Sequence, residues 1–157
     1  MTNMKDVTDI IESLRAKKRK IDCQYLKFAL EEQVDNLLSG KETQHMLLSG
    51  PPFSGKTELL NWITRYAKAK GLEVREMDAR SPYTGMDTAL LKIMSESNKK
   101  YIVMQEELDS FLSGRSNDFR EEFMGYLSKG NILFLATTNF PEKIEEPVRQ
   151  RFYNVQI

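Results

Sequence analysis

A glycine-rich segment in the first half of the chain has the residue types and spacing that bind phosphate. The pattern G-x-x-x-x-G-K-[ST] is matched in full by Gly50, Pro51, Pro52, Phe53, Ser54, Gly55, Lys56 and Thr57. Glycines at both ends let the backbone curl its N–H groups around an anion, and a following helix points its positive end there. We expect Lys56 to contact the β- and γ-phosphates, Thr57 to coordinate Mg²⁺ and Glu58 to complete the binding segment.

An acidic pair follows an apolar run later in the chain. Residues 101–105 are typical of a buried strand, and Glu106 and Glu107 come directly after them. A carboxylate at the end of a central strand can support the Mg²⁺ shell through water, and its neighbour can polarise an attacking water. We expect these roles for Glu106 and Glu107 respectively. The alternative is that both begin a solvated loop.

Three further polar residues stand near the ends of later strands. Asn139 follows the apolar run 131–137, where its amide can contact both a γ-phosphate and the attacking water; the alternative is ordinary turn chemistry. Arg149 and Arg151 lie just before the last apolar segment. An arginine there can serve a neighbouring subunit's nucleotide, and the alternative is surface charge.

Short apolar strands alternate with amphipathic helices from residue 45 onward. The pattern predicts strands at 45–49, 72–78, 100–105, 131–137 and 152–157, and helices at 24–38, 56–69, 86–97 and 117–128. This alternation is typical of an α/β fold with a mainly parallel sheet between two helical layers. Because ligands of such sheets lie beyond the carboxyl ends of the strands, we expect the site there.

The first 44 residues predict two helices. One covers 5–19 and ends in the basic run Lys17, Lys18, Arg19 and Lys20, which is either a solvated helix end or a contact with DNA. The helix at 24–38 is expected to bury Tyr25, Phe28, Ala29, Val34 and Leu37. We predict one domain over 1–157, with an N-terminal basic helix over 1–23 and a nucleotide-binding unit over 24–157.

Composition excludes several classes of protein. The 157 residues include 23 basic and 23 acidic side chains, so a strongly basic nucleic-acid coat is excluded. Cys23, the single cysteine, cannot form an internal disulfide, and no zinc-ligand spacing occurs. No secretory segment or membrane-spanning run is present, so we expect an intracellular, cytoplasmic protein. His45 is expected at a strand edge rather than as an acid or base.

Taken in order, these motifs resemble those of AAA+ ATPases, over roughly residues 24–157. The resemblance identifies 50–57 as a Walker A loop, 101–107 as Walker B, Asn139 as sensor 1 and 149–151 as the arginine-finger region. It implies a P-loop NTPase fold with a five-stranded sheet in the order 5-1-4-3-2. It also implies ATP and Mg²⁺ as cofactors, and rings of like or unlike subunits with nucleotide between them.

The resemblance also assigns roles by position. Glu106 stands where the family has its Mg²⁺-associated Asp, Glu107 matches the catalytic Glu and Arg151 the finger, with Arg149 as the second candidate. Glu106 is one methylene longer than the usual Asp, which implies slower hydrolysis. Since the chain ends at Ile157, we expect a core without the family's C-terminal helical lid.

Two branches of the family compete. Residues 138–151, together with 77–81 and 85–87, resemble clamp-loader small subunits, which would make a DNA-bound protein complex the substrate. In the protein-remodelling branch, Tyr83 would instead align with a pore loop that grips a polypeptide. Two other classes stay open: a nucleotide-gated assembly module with little hydrolysis, and a P-loop kinase for a small molecule.

Overall fold

The computed structural model describes residues 23–77 and 86–157, along which helices and strands alternate. The elements are α1 (Cys23–Ser39), β1 (His45–Ser49), α2 (Lys56–Ala69), β2 (Glu73–Met77), α3 (Met86–Glu96), β3 (Tyr101–Gln105), α4 (Leu108–Leu112), α5 (Asn117–Leu127), β4 (Ile132–Thr138), a 3-10 turn (Pro141–Lys143), α6 (Glu146–Arg149) and β5 (Phe152–Gln156). None of the helices within these ranges is long and apolar enough to cross a membrane.

The strands form one sheet in the order β2-β3-β4-β1-β5, and every neighbouring pair is parallel. This confirms the predicted order of five strands. The inner strands β1, β3 and β4 are buried along their whole length, as their continuous apolar runs require. Edge strand β2 exposes Glu73, Arg75 and Glu76, and such charged side chains oppose pairing with another chain.

Helices cover both faces of the sheet, which confirms the three-layer α/β/α architecture. Successive strand residues point to opposite faces. Leu133 and Leu135 of β4 therefore pack with α1 and α2, whereas Ile132, Phe134 and Ala136 pack with α3, α4 and α5. The sheet is thus fixed between two apolar layers, and its carboxyl edge stays free to carry polar residues.

One prediction about α1 is wrong. Tyr25 and Phe28, expected on its apolar face, are exposed by 39% and 42%. A helix packs one face against the sheet, formed by residues spaced three and four apart. In α1 this face contains Leu26, Leu30 and Leu37. Within residues 25–39 of α1, the buried residues are Leu26, Ala29, Leu30, Gln33, Val34 and Leu37.

Some elements differ from the sequence-based expectation, and some predictions fall outside the described residues. Helices α4 and α6 are too short for a periodic pattern to reveal them. The predicted helix over 5–19, the basic run 17–20 and Tyr83 all lie outside the described residues.

Candidate functional site

An open cavity of about 1370 Å³ lies at the carboxyl ends of the strands. The lining residues come from the glycine-rich loop and from the ends of β2, β3 and β4: Pro52, Phe53, Ser54, Gly55, Lys56, Thr57, Glu58, Glu76, Met77, Met104, Glu106, Glu107, Thr137 and Asn139. The structure thus brings Lys56, Thr57, Glu106, Glu107 and Asn139, which were predicted from separate motifs, to one cavity.

The glycine-rich loop has a conformation suited to an anion. Gly55, just before α2, has a φ of 95°, which glycine adopts without strain. Phe53 has a φ of 63°, which is rare for a bulky residue, and its side chain is fully exposed. Left-handed residues in a turn direct successive N–H groups to one side, where the positive end of α2 also points.

The base of the loop leaves little room for a side chain at Gly50. A Cβ atom there would lie 3.1 Å from the carbonyl oxygen of Ile157 and 3.1 Å from Ser54 Oγ. The Ile157 N–H donates to the Ser49 carbonyl at 2.7 Å, and the Gly50 N–H donates to the Thr138 carbonyl at 3.3 Å. The loop is therefore fixed at its start by the chain following β5 and by the end of β4.

Lys56 is held inside the loop by three hydrogen bonds. Its Nζ donates to the carbonyl oxygens of Gly50 at 2.8 Å and Pro51 at 2.7 Å, and to Ser54 Oγ at 3.1 Å. The residue is only 8% exposed, and burial lowers the pKa of its ammonium group. A bound phosphate would supply the negative charge that a desolvated ammonium lacks here.

Thr57 and Glu106 meet across the cavity floor. Thr57 Oγ1 donates a hydrogen bond of 2.6 Å to Glu106 Oε1, so α2 and the end of β3 contribute oxygen atoms to one point. Hydroxyl and carboxylate oxygens are the ligand types that Mg²⁺ prefers. Within residues 23–77 and 86–157, no group of three or more His, Cys, Asp or Glu residues could hold a metal alone. Oxygen atoms of phosphate and water would have to complete the shell.

Backbone strain is concentrated at this cavity. Among the described residues, Phe53 and Glu107 are the non-glycine residues with a positive φ, and both line the cavity. Glu107 has a φ of 54° at the residue before α4. A residue held in this conformation costs about 1–3 kcal/mol and persists only where its surroundings impose it, which is common at functional sites.

Asp109, which was not among the residues predicted from the sequence, contributes to the site. Its Oδ1 accepts a hydrogen bond of 2.7 Å from Thr138 Oγ1, which in turn accepts from the Phe140 N–H at 3.0 Å. These contacts tie the turn that carries Asn139 to α4. The missed signal was the acidic residue two positions after the pair 106–107, in a segment whose helix was not predicted.

The two candidate arginines lie outside the cavity. Arg151 immediately precedes β5 and donates a hydrogen bond to Ser128 Oγ at 3.1 Å. The first residue of β5 pairs with the first residue of β1, so Arg151 lies near the start of β1. The glycine-rich loop follows the opposite end of β1, and a strand of this length spans roughly 13 Å. Arg149 contacts the Pro141 carbonyl at 3.4 Å. Neither arginine belongs to the residues that line the cavity.

The residues present fit a Mg²⁺-bound nucleoside triphosphate. The loop supplies left-handed backbone and the start of a helix, Lys56 supplies a buried cation, and the pair of Thr57 and Glu106 supplies oxygen ligands. Met77 and Met104 add an apolar wall to the cavity. The cavity, at about 1370 Å³, is larger than the roughly 300–1,000 Å³ of common ligand pockets, so it has room for a nucleotide.

Comparison with known proteins agrees with this geometry. Residues 46–157 match the model of the ATPase family associated with various cellular activities, AAA. The chain is 31% identical over 123 residues to fidgetin-like protein 1 of Drosophila melanogaster, a match that covers 68% of this chain and 24% of that protein. The chain therefore spans about a quarter of the length of that relative.

Solved structures show the same fold. A katanin structure has a TM-score of 0.66 at 20% identity, covering 88% of this chain and 51% of the chain in that structure. The RuvB Holliday junction branch migration motor of Thermotoga maritima has a TM-score of 0.62 at 19% identity, covering 87% of this chain and 45% of the chain in that structure. Since the family model matches most of the chain, this protein belongs to the AAA family of ATPases.

Proposed function

We propose that this chain binds Mg²⁺ and ATP in the cavity at the carboxyl edge of the sheet and hydrolyses ATP to ADP and phosphate. The observation that carries the proposal is the hydrogen bond between Thr57 and Glu106, which joins the two motifs beside a buried Lys56. A magnesium ion, when bound, neutralises charge on the phosphate oxygens. The residues around the metal site position the phosphates and the attacking water for the reaction.

Each residue has a distinct role in this proposal. Lys56 and the loop N–H groups bind the phosphates, while Thr57 and Glu106 support the metal. Glu107 orients the attacking water. Asn139 contacts the terminal phosphate from the end of β4. Glu107 and Asn139 both line the cavity, which supports their acting on the same phosphoryl group.

Assembly is part of the proposal. Arg151, or Arg149 as the second candidate, acts on the nucleotide of a neighbouring subunit in a homo- or hetero-oligomeric ring. Its place outside its own cavity supports a role in trans rather than in cis. An arginine finger contributes about 10³–10⁵ in rate, so a dilute monomer would turn over slowly.

In this proposal, ATP binding and hydrolysis drive the remodelling or loading of a macromolecular partner. The clamp-loader-like segment 138–151 favours a nucleic-acid-related role. In that role, the basic run 17–20 contacts DNA. The alternative is a polypeptide substrate gripped by Tyr83, in which case Tyr83→Ala abolishes remodelling and spares hydrolysis.

A second candidate is a nucleotide-gated assembly module with little hydrolysis. The residues that favour it are Gln105 and Glu106, which stand where the resemblance implies an apolar residue and an Asp. Under this alternative, single-turnover measurements give tight ATP binding with no phosphate release, even in the oligomer.

The testing experiment measures the ATPase rate per subunit against protein concentration and in mixed samples. We expect the rate to rise with concentration, and Glu107→Gln to bind ATP while losing about 10²–10⁴ in rate. A mixture of Lys56→Ala with Arg151→Ala should recover activity that neither variant has alone. In the mixture, an intact phosphate-binding loop of an Arg151→Ala subunit can lie beside the intact arginine of a Lys56→Ala subunit. A rate independent of concentration together with an inactive mixture would exclude the role in trans.

A further inference from the structure

We propose that Gln105 is a positioning residue that fixes the backbone between Glu106 and Glu107, and that this role lowers the stability of the fold. The inference rests on the proposed ATP hydrolysis, since it assigns Gln105 to the geometry of the two carboxylates. Three observations carry it: the burial of the side chain, the orphaned oxygen of its amide, and the contact made by its nitrogen.

Gln105 lies at a position that would suit an apolar residue. It is the last residue of β3 and is 2% exposed, and its partners in the neighbouring strands are Met77 and Ala136. Its Oε1 is buried and has no hydrogen-bond partner in the described part of the chain. An unsatisfied buried polar atom destabilises a fold, whereas an apolar side chain of the same size would not.

The other half of the amide has a specific partner. Gln105 Nε2 donates a hydrogen bond of 2.8 Å to the backbone carbonyl of Glu106. A carbonyl can only accept, so the nitrogen of the amide must face it, and the oxygen is turned away from it and stays buried without a partner. The orphaned oxygen is therefore a consequence of this one contact.

The contacted carbonyl belongs to the peptide that joins Glu106 to Glu107. The orientation of this peptide determines where both side chains project, and Glu107 follows it with a φ of 54°. This strained conformation requires support from its surroundings. Holding the peptide by its carbonyl keeps Glu106 on Thr57 and Glu107 on the cavity wall.

Gln105 acts through the backbone and not on the nucleotide. Its side chain does not line the cavity, whereas both glutamates that follow it do. Replacing it should therefore spare ATP binding, to which the glycine-rich loop contributes most, and slow the step that needs Glu107. A role confined to packing would change stability alone.

The test compares Gln105→Met with a matched control, Gln33→Met. Gln33 is also 2% exposed, but it lies in α1 and its Oε1 accepts a 2.7 Å hydrogen bond from the Gln44 N–H. Three quantities are measured for each variant of the 157-residue chain. They are the midpoint of thermal unfolding, the dissociation constant for ATP with Mg²⁺, and the single-turnover hydrolysis rate at a protein concentration where wild type is active.

We expect opposite results for the two variants. Gln105→Met should raise the unfolding midpoint by about 2–4 °C, because an orphaned polar atom is removed. It should leave the ATP dissociation constant within about twofold and lower the hydrolysis rate by about tenfold or more, since small displacements of reacting groups are costly. Gln33→Met should lower the midpoint and leave the rate unchanged.

An unchanged hydrolysis rate in Gln105→Met would overturn the inference, and so would a midpoint that falls as it does in Gln33→Met. Failure of the proposed function looks different. In that case wild type itself shows no affinity for ATP with Mg²⁺, or Lys56→Ala hydrolyses ATP at the wild-type rate, whatever substitution stands at Gln105.

Discussion

Thr138 at the end of β4 donates a hydrogen bond of 2.7 Å to Asp109 in the first turn of α4. Asn139 immediately follows Thr138, and Glu107 immediately precedes α4. The bond therefore joins the element that carries the proposed phosphate sensor to the element that carries the proposed water-orienting residue. A displacement of one element would be transmitted to the other through this contact.

Removal of this contact should destabilise the protein measurably. Thr138 is 1% exposed, so Asp109→Ala leaves its hydroxyl buried with one partner fewer. We expect a loss of about 1–3 kcal/mol in the free energy of unfolding, measured by denaturant titration. Asp118→Ala, at an exposed acid in the first turn of α5, is the matched control and should cost about 0.5 kcal/mol.

A double-mutant cycle with Thr138→Val isolates the pair. If the bond is formed in solution, the two substitutions should be non-additive, with a coupling energy of about 0.5–3 kcal/mol. Additive effects of Asp109→Ala and Thr138→Val would show that the two residues act independently.

The pair of Thr57 and Glu106 predicts a specific magnesium dependence. Thr57→Val keeps the side-chain shape but removes the hydroxyl, so the Mg²⁺ concentration for half-maximal ATPase activity should rise by about 10–100-fold. Thr57→Ser keeps the hydroxyl and should stay near wild type. Magnesium titrations of the three proteins at fixed ATP check this. An unaltered Mg²⁺ requirement in Thr57→Val would rule out the assigned metal role.

Because His45 is buried with a neutral ring, we expect the free energy of unfolding to fall at mildly acidic pH. It is buried in β1, where Nδ1 accepts from the Phe134 N–H at 3.0 Å and Nε2 donates to the Leu127 carbonyl at 2.6 Å. These contacts require the neutral ring, and burial lowers its pKa below the usual 6.5. The unfolded chain therefore takes up this proton first as the pH falls.

The contribution of neutral His45 to the free energy of unfolding is fully present above pH 6.5. It is lost as the pH falls from there toward the folded-state pKa of His45. Over this range the free energy of unfolding changes by at most about 1.4 kcal/mol per pH unit because of His45. Unfolding free energies of wild type and His45→Gln between pH 5 and 8 test this, and the variant should show the flatter profile. Parallel profiles would contradict a buried neutral His45.

Much of the fold could be predicted because the sequence repeats simple physical patterns. The inner strands are continuous apolar runs, and the long helices between them leave a parallel sheet as the favoured arrangement. The glycine-rich loop was predictable because phosphate binding fixes the residue type at several positions. His45, expected at a strand edge, begins β1 but is buried against Phe134 and Phe152.

Other features depend on contacts between distant parts of the chain, which a local pattern does not contain. Phe28 is as apolar as Leu26 and Leu30, yet it is exposed because the stripe that contains the two leucines packs against the sheet. The role of Asp109 likewise depends on Thr138, which lies 29 residues further along the chain. The apolar partners of Gln105 become visible only once the strand register is known.

The most direct measurement of the central claim is calorimetric binding of Mg²⁺ and ATP to wild type, Lys56→Ala and Lys68→Ala. Lys68 is an exposed lysine near the end of the same helix and serves as the control. We predict that wild type and Lys68→Ala bind alike, while Lys56→Ala loses about 10–100-fold in affinity, the value of a hydrogen bond to a charged group. Equal affinities in all three proteins, or none in wild type, would contradict a triphosphate held at this loop.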